Sequence, residues 1–414
     1  MKRIALPLLV LLAGLSLLQA ASAQASPTCD RMRAWLGQGG GSASGLLVVD
    51  AESEQVLCAK APGRSRPLAS NMKLFTTATA LSKLGPEHRI PTKVFRDGPV
   101  DAKGVLHGSL YLQGGGDPAL GTPSFYNGYF GGLGTNVFAL TPQIKAAGIT
   151  SITGRLYADD TVFDRRRGVL DSGYATSPYI GPLSGLAFNS GFSGSTSASG
   201  FSSDPAKLAA KKLVRSLQRA GVRVPPQIAL RPTPPDADRV GLVQSPTLDR
   251  IANLTDVYSN NYFAEMLIKL LGARFGGAGT TAAGADVIET FSRGLGSTVR
   301  AVDGSGLTRS NRASPREVID LLLGMQEDPA GEEFIQDLAL TGQEGTVASR
   351  TEGTAAYGRC RTKTGTISGV SNLSGYCFNR SGRVMAFSIL MSGVSSLYLA
   401  HLSQDRIAGA VAGY

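Results

Sequence analysis

Ser70 and Lys73, three positions apart in the run Ser70-Asn71-Met72-Lys73, are the first pair in this sequence that could do chemistry together. An extended segment ending at Pro67 leads into helical spacing, so Ser70 falls at a helix N-terminus with Lys73 one turn on, facing the same way. The partial positive charge there favours an alkoxide and an oxyanion, and a neutral lysine amine can take the hydroxyl proton. Such a lysine needs a lowered pKa, which burial and a second cation supply; Lys363 is the candidate neighbour. Alone, this spacing is more often an N-capping serine beside a solvated lysine. Ser259-Asn260-Asn261 adds a hydroxyl for proton relay and an amide to hold a substrate carbonyl and the lysine, though by itself it is equally a helix cap. Lys363-Thr364-Gly365 adds a cation for a terminal carboxylate, and a glycine that lets substrate backbone pair along a strand edge. Together, in this order, they point to acyl transfer through a serine ester, with the backbone N–H groups of Ser70 and Thr366 as oxyanion donors. The three histidines, His88, His107 and His401, accompany no G-x-S-x-G turn, so a Ser-His-Asp triad is not expected and they read as structural.

These residues need elements to hold them. Leu46 to Lys60 reads as a hairpin turning at Ala51-Glu52-Ser53-Glu54. The helix after Pro67 places Met72, Phe75, Thr79 and Leu81 near one face and stops at Gly85-Pro86. From Ile90 to about Val240 the chain is rich in Gly, Ser, Pro and Asp, with short strands such as Ser109 to Leu112 and Arg155 to Ala158, one clear helix from Pro205 to Ala220, and an exposed Ser-rich loop from Ser190 to Ser203. Helical spacing returns at Tyr262 to Leu271, with Phe263, Met266, Leu267, Leu270 and Leu271 on one face. Arg359 to Lys363, Asn372 to Phe378 and Arg383 to Met391 read as three strands, the last two joined by Asn379-Arg380-Ser381-Gly382, before a terminal helix from Ser396 that packs on the sheet. The expected fold is therefore α/β of the α+β kind. An antiparallel sheet with flanking helices, 24–89 and 241–414, is interrupted by a mostly β module, 90–240, of one or two small subdomains.

Lys2, Arg3, the apolar run Ile4 to Leu18 and Ala21-Ser22-Ala23 read as a signal peptide, 1–23, cleaved near Ala23, so export to a periplasm or beyond is expected. The run is short of the ~20 residues that span a bilayer, and no stable membrane anchor is expected. Four cysteines in an exported chain suggest two disulfides; of three pairings, Cys29 with Cys58 and Cys360 with Cys377 are favoured because each pair is close in sequence and the second would link neighbouring strands. No C-x-x-C spacing argues for a metal, and no cofactor is implied. The formal charge of +10, or +8 without Lys2 and Arg3, suits an anionic partner such as cell-wall polymer or lipid head groups, or simply solubility, while the scatter of Lys and Arg among Asp and Glu argues against nucleic acid.

The motifs reach further than three tripeptides. Pro67 to Lys73, Gly114-Gly115-Gly116-Asp117-Pro118, Asp303-Gly304-Ser305-Gly306-Leu307, Gly342-Gln343-Glu344-Gly345-Thr346, Lys363-Thr364-Gly365-Thr366 and Asn372-Leu373-Ser374-Gly375-Tyr376 together resemble the penicillin-binding protein 4 type of D-alanyl-D-alanine carboxypeptidase/endopeptidase, over nearly the whole mature chain. The resemblance implies a serine β-lactamase/transpeptidase-like domain with a long insertion between its first two motifs. It also implies hydrolysis of peptidoglycan stem peptides and D-alanyl cross-links through an acyl-enzyme on Ser70, and covalent inhibition by β-lactams. Carried onto these residues, Ser70 is the nucleophile, Lys73 the base, Ser259 the proton relay, Asn261 a substrate holder and Lys363 the carboxylate binder. Thr364, Gly365 and Thr366 would line the substrate strand, and Ser305 and Gly306 would border the cleft; Asp117 reads as structural and Asn260 has no role. Two alternatives stand beside this reading. A β-lactamase needs a fast deacylating water, which in class A enzymes a dedicated Glu supplies, and no such Glu can be placed. An idle cell-wall binding protein would have no use for the intact nucleophile, base and carboxylate binder.

Overall fold

The computed structural model describes residues 26–414, so the signal peptide read at 1–23 lies outside the described residues. Among them, no helix is long and apolar enough to cross a membrane. A helix not read from the sequence comes first: α1 (Pro27–Gly39) is capped by the Ser26 side chain and buries Cys29, Met32 and Leu36, a helical spacing that lay unread beside the cleavage signal. The expected hairpin follows as β1 (Gly45–Asp50) and β2 (Val56–Lys60). A single 3₁₀ turn, Ala69–Asn71, leads into α2 (Met72–Leu84), which Gly85 ends at a φ of 87° that favours glycine.

The intervening segment builds its own sheet from β3 (Pro91–Arg96), β4 (Leu110–Gln113), β5 (Leu156–Asp159), β6 (Ile228–Leu230) and β7 (Asp238–Gln244), in the order β6-β5-β4-β3-β7. The pairs of β5 with β4 and β6 are parallel and the other two antiparallel. The expected helix, α3 (Pro205–Arg219), covers this sheet with Ala206, Ala209, Leu213 and Leu217, making a separate apolar core.

Past it come α4 (Leu248–Val257), α5 (Asn261–Phe275), α6 (Thr281–Gly294) and α7 (Pro315–Glu327), then β8 (Ala339–Leu340), β9 (Cys360–Ile367), β10 (Val370–Phe378), β11 (Val384–Ser392) and α8 (Leu397–Val411). The six-stranded sheet runs β8-β9-β10-β11-β1-β2 and is antiparallel throughout. Alternation along β1 sends Leu46 and Val48 toward α1 and α8, and Leu47 and Val49 toward the core shared with α2, α5 and α7. Three layers result, helices on both faces of one sheet. Two expectations change. The strand expected to stop at Lys363 continues to Ile367, because its pairing with β10 holds from Cys360↔Cys377 to Ile367↔Val370. Helix α5, expected to bury one face, is buried without interruption from Tyr262 to Gly272, with α2, α4, α6 and the inserted segment all around it.

Both favoured disulfides are present: Cys29–Cys58 ties α1 to β2, and Cys360–Cys377 joins β9 to β10. With sequence separations of 29 and 17, chain-entropy reasoning assigns each roughly 3 kcal/mol. Reduction is expected to lower the melting temperature by several degrees, measured by thermal unfolding with and without reductant; an unchanged midpoint would contradict that stabilisation.

Candidate active site

The serine turn is clamped before any chemistry begins. Ala69 has a φ of 46°, a left-handed conformation that costs a non-glycine residue about 1–2 kcal/mol and persists only when neighbours over-determine it. Those neighbours come from both sides. Asn71 donates through Nδ2 to the Lys363 carbonyl (2.8 Å) and accepts from Ser374 Oγ (3.0 Å), while Asn372 Nδ2 donates to the carbonyls of Pro67 (3.0 Å) and Leu68 (2.7 Å). On the other side Leu68 N–H donates to Asn311 O (3.0 Å).

Two glycines complete the clamp. A Cβ on Gly365 would lie 2.8 Å from Leu68 O and 2.9 Å from Asn71 N, so the missing side chain admits the chain's own nucleophile turn, not substrate as expected from sequence. A Cβ on Gly306 would lie 1.8 Å from Ala69 O, at a φ of 86°. Gly306→Ala is therefore expected to cost about 3 kcal/mol or more and to suppress acylation by penicillin, read by denaturant unfolding and adduct formation. Wild-type stability in that variant would refute the clamp.

Lys73 is fully buried on the first turn of α2. Its Nζ lies 3.0 Å from Ser70 Oγ, 2.8 Å from Asn261 Oδ1 and 2.7 Å from Ser305 O. Burial, and then the Lys363 charge, hold its pKa down at about 7, against the opposing pull of Glu265, Asp256 and Asp303. A neutral amine has two hydrogens and one lone pair. The two carbonyl-type oxygens take the hydrogens, which leaves the lone pair for the Ser70 hydroxyl.

Lys363, also fully buried, donates to Ser259 Oγ and to Thr364 O, each at 3.0 Å. Burial lowers its pKa to about 8, with Asp256 opposing. Ser259 sits in the short link between α4 and α5 at a φ of 56°, a second left-handed non-glycine residue in the cluster. Asn260, without a role in the sequence reading, caps α5 by accepting from Phe263 N–H (3.1 Å). Asn261 turns its other end outward, where Nδ2 donates to Tyr179 O of the inserted segment (3.1 Å).

The structure thus brings Ser70, Lys73, Ser259, Asn261 and Lys363 into one hydrogen-bonded cluster. Thr364 shares a hydroxyl contact of 2.8 Å with Thr346, and Thr366 is exposed on β9. Strand β8 pairs only with Arg361 and Thr362, so the outer edge of β9 from Lys363 onward has no strand partner among the described residues. Ser305 and Gly306, expected to border the cleft, lie buried behind the serine and meet Lys73 and Ala69. Two buried carboxyls, Asp256 and Glu265, were missed, and a third, Asp303, was read only as part of a motif. Asp256 on α4 accepts from Thr77 Oγ1 (2.8 Å), and its pKa is raised to about 6 by burial; burial also raises Glu265 on α5, and Asp303. A glutamate among the apolar residues Tyr262 to Ile268, one turn after Asn261, was the available signal. Among the described residues no histidine hydrogen-bonds to this cluster; His107 binds Asp101 (2.9 Å).

Comparison with known proteins follows the same lines. The sequence pattern of the D-Ala-D-Ala carboxypeptidase 3 (S13) family matches residues 32–198 and 192–411. A D-alanyl-D-alanine carboxypeptidase of Actinomadura sp. (strain R39) is 31% identical over 456 residues, covering 90% of this chain and 82% of the relative. The fold is similar to that of penicillin binding protein 4 from Haemophilus influenzae, with a TM-score of 0.78 at 18% identity over 94% of this chain and 100% of that one. The same protein complexed with a novel β-lactam gives a TM-score of 0.73 at 17% identity, over 92% and 98%. The predatory peptidoglycan endopeptidase Bd3459 of Bdellovibrio bacteriovorus gives 0.53 at 19% identity, over 84% and 85%.

Proposed function

The chain belongs to the D-Ala-D-Ala carboxypeptidase 3 (S13) family, and from that premise we propose how its own residues carry out a serine D,D-peptidase reaction on peptidoglycan. Ser70 Oγ attacks the carbonyl of the D-alanyl bond as Lys73 Nζ takes its proton, and an ester forms on Ser70. The leaving amine, free D-alanine or the cross-linked partner strand, receives a proton through Ser259 Oγ, which Lys363 holds at 3.0 Å. The terminal carboxylate lies against Lys363 and Thr364, and Asn261 orients the acyl side. The stem peptide pairs along the open edge of β9 from Thr364 to Thr366, with the N–H groups of Ser70 and Thr366 toward the developing oxyanion. Water then hydrolyses the ester. A cavity of about 320 Å³ lined by Val169, Asp171, Thr176, Tyr179 and Leu307 gives the rest of the stem a place to lie. β-Lactams, which mimic the D-alanyl bond, acylate Ser70; the β-lactam complex of the Haemophilus protein supports this. The leader read at 1–23 exports the chain to its cell-wall substrate.

The observation that carries this reading is the Lys73 amine, 3.0 Å from Ser70 Oγ with its other two contacts on carbonyl oxygens. Intact mass spectrometry before and after benzylpenicillin, followed by incubation with a cross-linked muropeptide dimer, tests it. A persistent penicilloyl adduct with conversion of dimer to monomers is the expected result. A rapidly lost adduct with intact muropeptides would indicate a β-lactamase, and no adduct at all a binding protein.

A further inference from the structure

Helix α5 is buried from Tyr262 to Gly272, yet carries Asn261, Glu265 and Lys269 at intervals of four. Residues at that spacing share one helix face. Two of the three have evident partners. Asn261 meets Lys73 and Tyr179, and Lys269 meets the Asp164 carboxylate and the Arg166 carbonyl of the inserted segment. Glu265 lies between them with no exposed surface, where an apolar side chain would pack at far lower desolvation cost.

What Glu265 touches is the backbone behind Lys73. Its Oε1 accepts from Ser305 N–H (2.8 Å), and the carbonyl of that same Ser305 accepts from Lys73 Nζ (2.7 Å). The remaining ties of this loop come from elsewhere. Asp303 accepts from Gly306 N–H (2.7 Å), Thr308 N–H (2.9 Å) and Asn311 Nδ2 (2.6 Å), and Thr76 Oγ1 donates to Gly304 O (2.9 Å). Of these, the Gly306 N–H bond to Asp303 holds the peptide plane that carries the Ser305 carbonyl, and the Glu265 bond holds the peptide plane before it, on the other side of the Ser305 Cα.

We propose that Glu265 is a positioning residue for the acylation step: by holding the Ser305 N–H while Asp303 holds the Gly306 N–H, it fixes the turn of the chain at Ser305 that sets the Ser305 carbonyl against Lys73, so that the amine's free electron pair stays on the Ser70 hydroxyl. The inference rests on Lys73 being the base. Without Glu265 only the Asp303 tie on the Gly306 N–H remains, the chain can rotate about the Ser305 Cα, the carbonyl's alignment with Lys73 Nζ loosens, and proton removal from Ser70 slows although substrate still binds. Asn261 and Glu265 then grip the base from one helix, which Lys269 pins to the inserted segment.

The test measures penicillin acylation by stopped-flow, separating the dissociation constant of the first complex from the first-order acylation rate, in wild type, Glu265→Ala and Glu265→Gln. Slow acylation of Lys73→Ala at Ser70, beside rapid acylation of the wild type, checks the underlying reading independently. For Glu265→Ala the acylation rate is expected to fall about 10- to 100-fold with the dissociation constant within about threefold of wild type. Glu265→Gln keeps an acceptor oxygen in the same place and should recover most of that loss. A purely structural role would lower the reactive fraction and leave the rate of the remaining molecules unchanged. The proposal is overturned if Glu265→Ala acylates at the wild-type rate, if the loss appears in the dissociation constant instead, or if Glu265→Gln is as slow as Glu265→Ala. Should Glu265→Ala fail to fold, Glu265→Leu, which refills the volume without an acceptor, takes its place with the same expected and overturning results.

Discussion

Ser70→Ala is expected to eliminate the penicilloyl adduct and to lower D-alanyl hydrolysis by at least about a thousandfold, while the melting temperature stays within a few degrees of wild type. The two parts of this result have separate physical causes. Ser70 Oγ is the partly exposed end of the cluster, hydrogen-bonds among the described residues only to Lys73 and caps no helix, so its removal leaves the clamp on the turn untouched. That clamp is made by Asn71, Asn372, Gly306 and Gly365, none of which uses the serine side chain. Adduct mass and thermal unfolding on the same preparation decide the matter. An adduct that persists in the variant would move the nucleophile to another residue, and a collapse in stability would mean that Ser70 supports the fold.

Lys73→Ala is expected to reduce the acylation rate by roughly a thousandfold, within the range usual for a positioned general base. In the wild type, pH should report the same group. Lys73 must be neutral to act, so the rate rises as pH passes about 7; Lys363 must keep its proton to bind carboxylate, so the rate falls above about 8. A narrow bell between those limbs is the expected profile, and in Lys73→Ala the acid limb should disappear with the rate. The limbs lie this low because both ammonium groups are buried and Asp256 offsets only part of the desolvation. An acylation rate still rising steadily to pH 10 would show that Lys73 remains charged through neutrality, and the mechanism would need another base.

The placement of carboxyls explains why the two lysines can coexist. Asp256 lies behind both, and Asp303 and Glu265 lie behind Lys73 alone. Burial raises all three carboxyls and lowers both lysines, so proton and charge are distributed over a group of interacting sites. The kinetic limbs accordingly describe the cluster, with Lys73 and Lys363 as its responsive members.

Much of this was legible in the residues alone. Ser70 to Lys73, Ser259 to Asn261 and Lys363 to Gly365 are short local patterns whose type and order specify a chemistry. The β1–β2 hairpin, α2, α3 and the last three strands follow from periodicity and turn residues, which act over a few positions. Both disulfides followed from sequence proximity. What only the tertiary structure decided depends on atoms far apart in the chain. Gly365 faces the nucleophile turn because β9 crosses it, and Ser305 lies under Lys73 because the 303–306 loop folds inward. Helix α5 is buried all round because the inserted segment closes over it, with the Phe130 ring tilted against that of Phe263 at a centroid distance of 4.9 Å. Glu265 and Asp256 escaped notice for the same reason. A buried carboxyl is recognised by its surroundings, and those surroundings come from elements that local spacing cannot bring together.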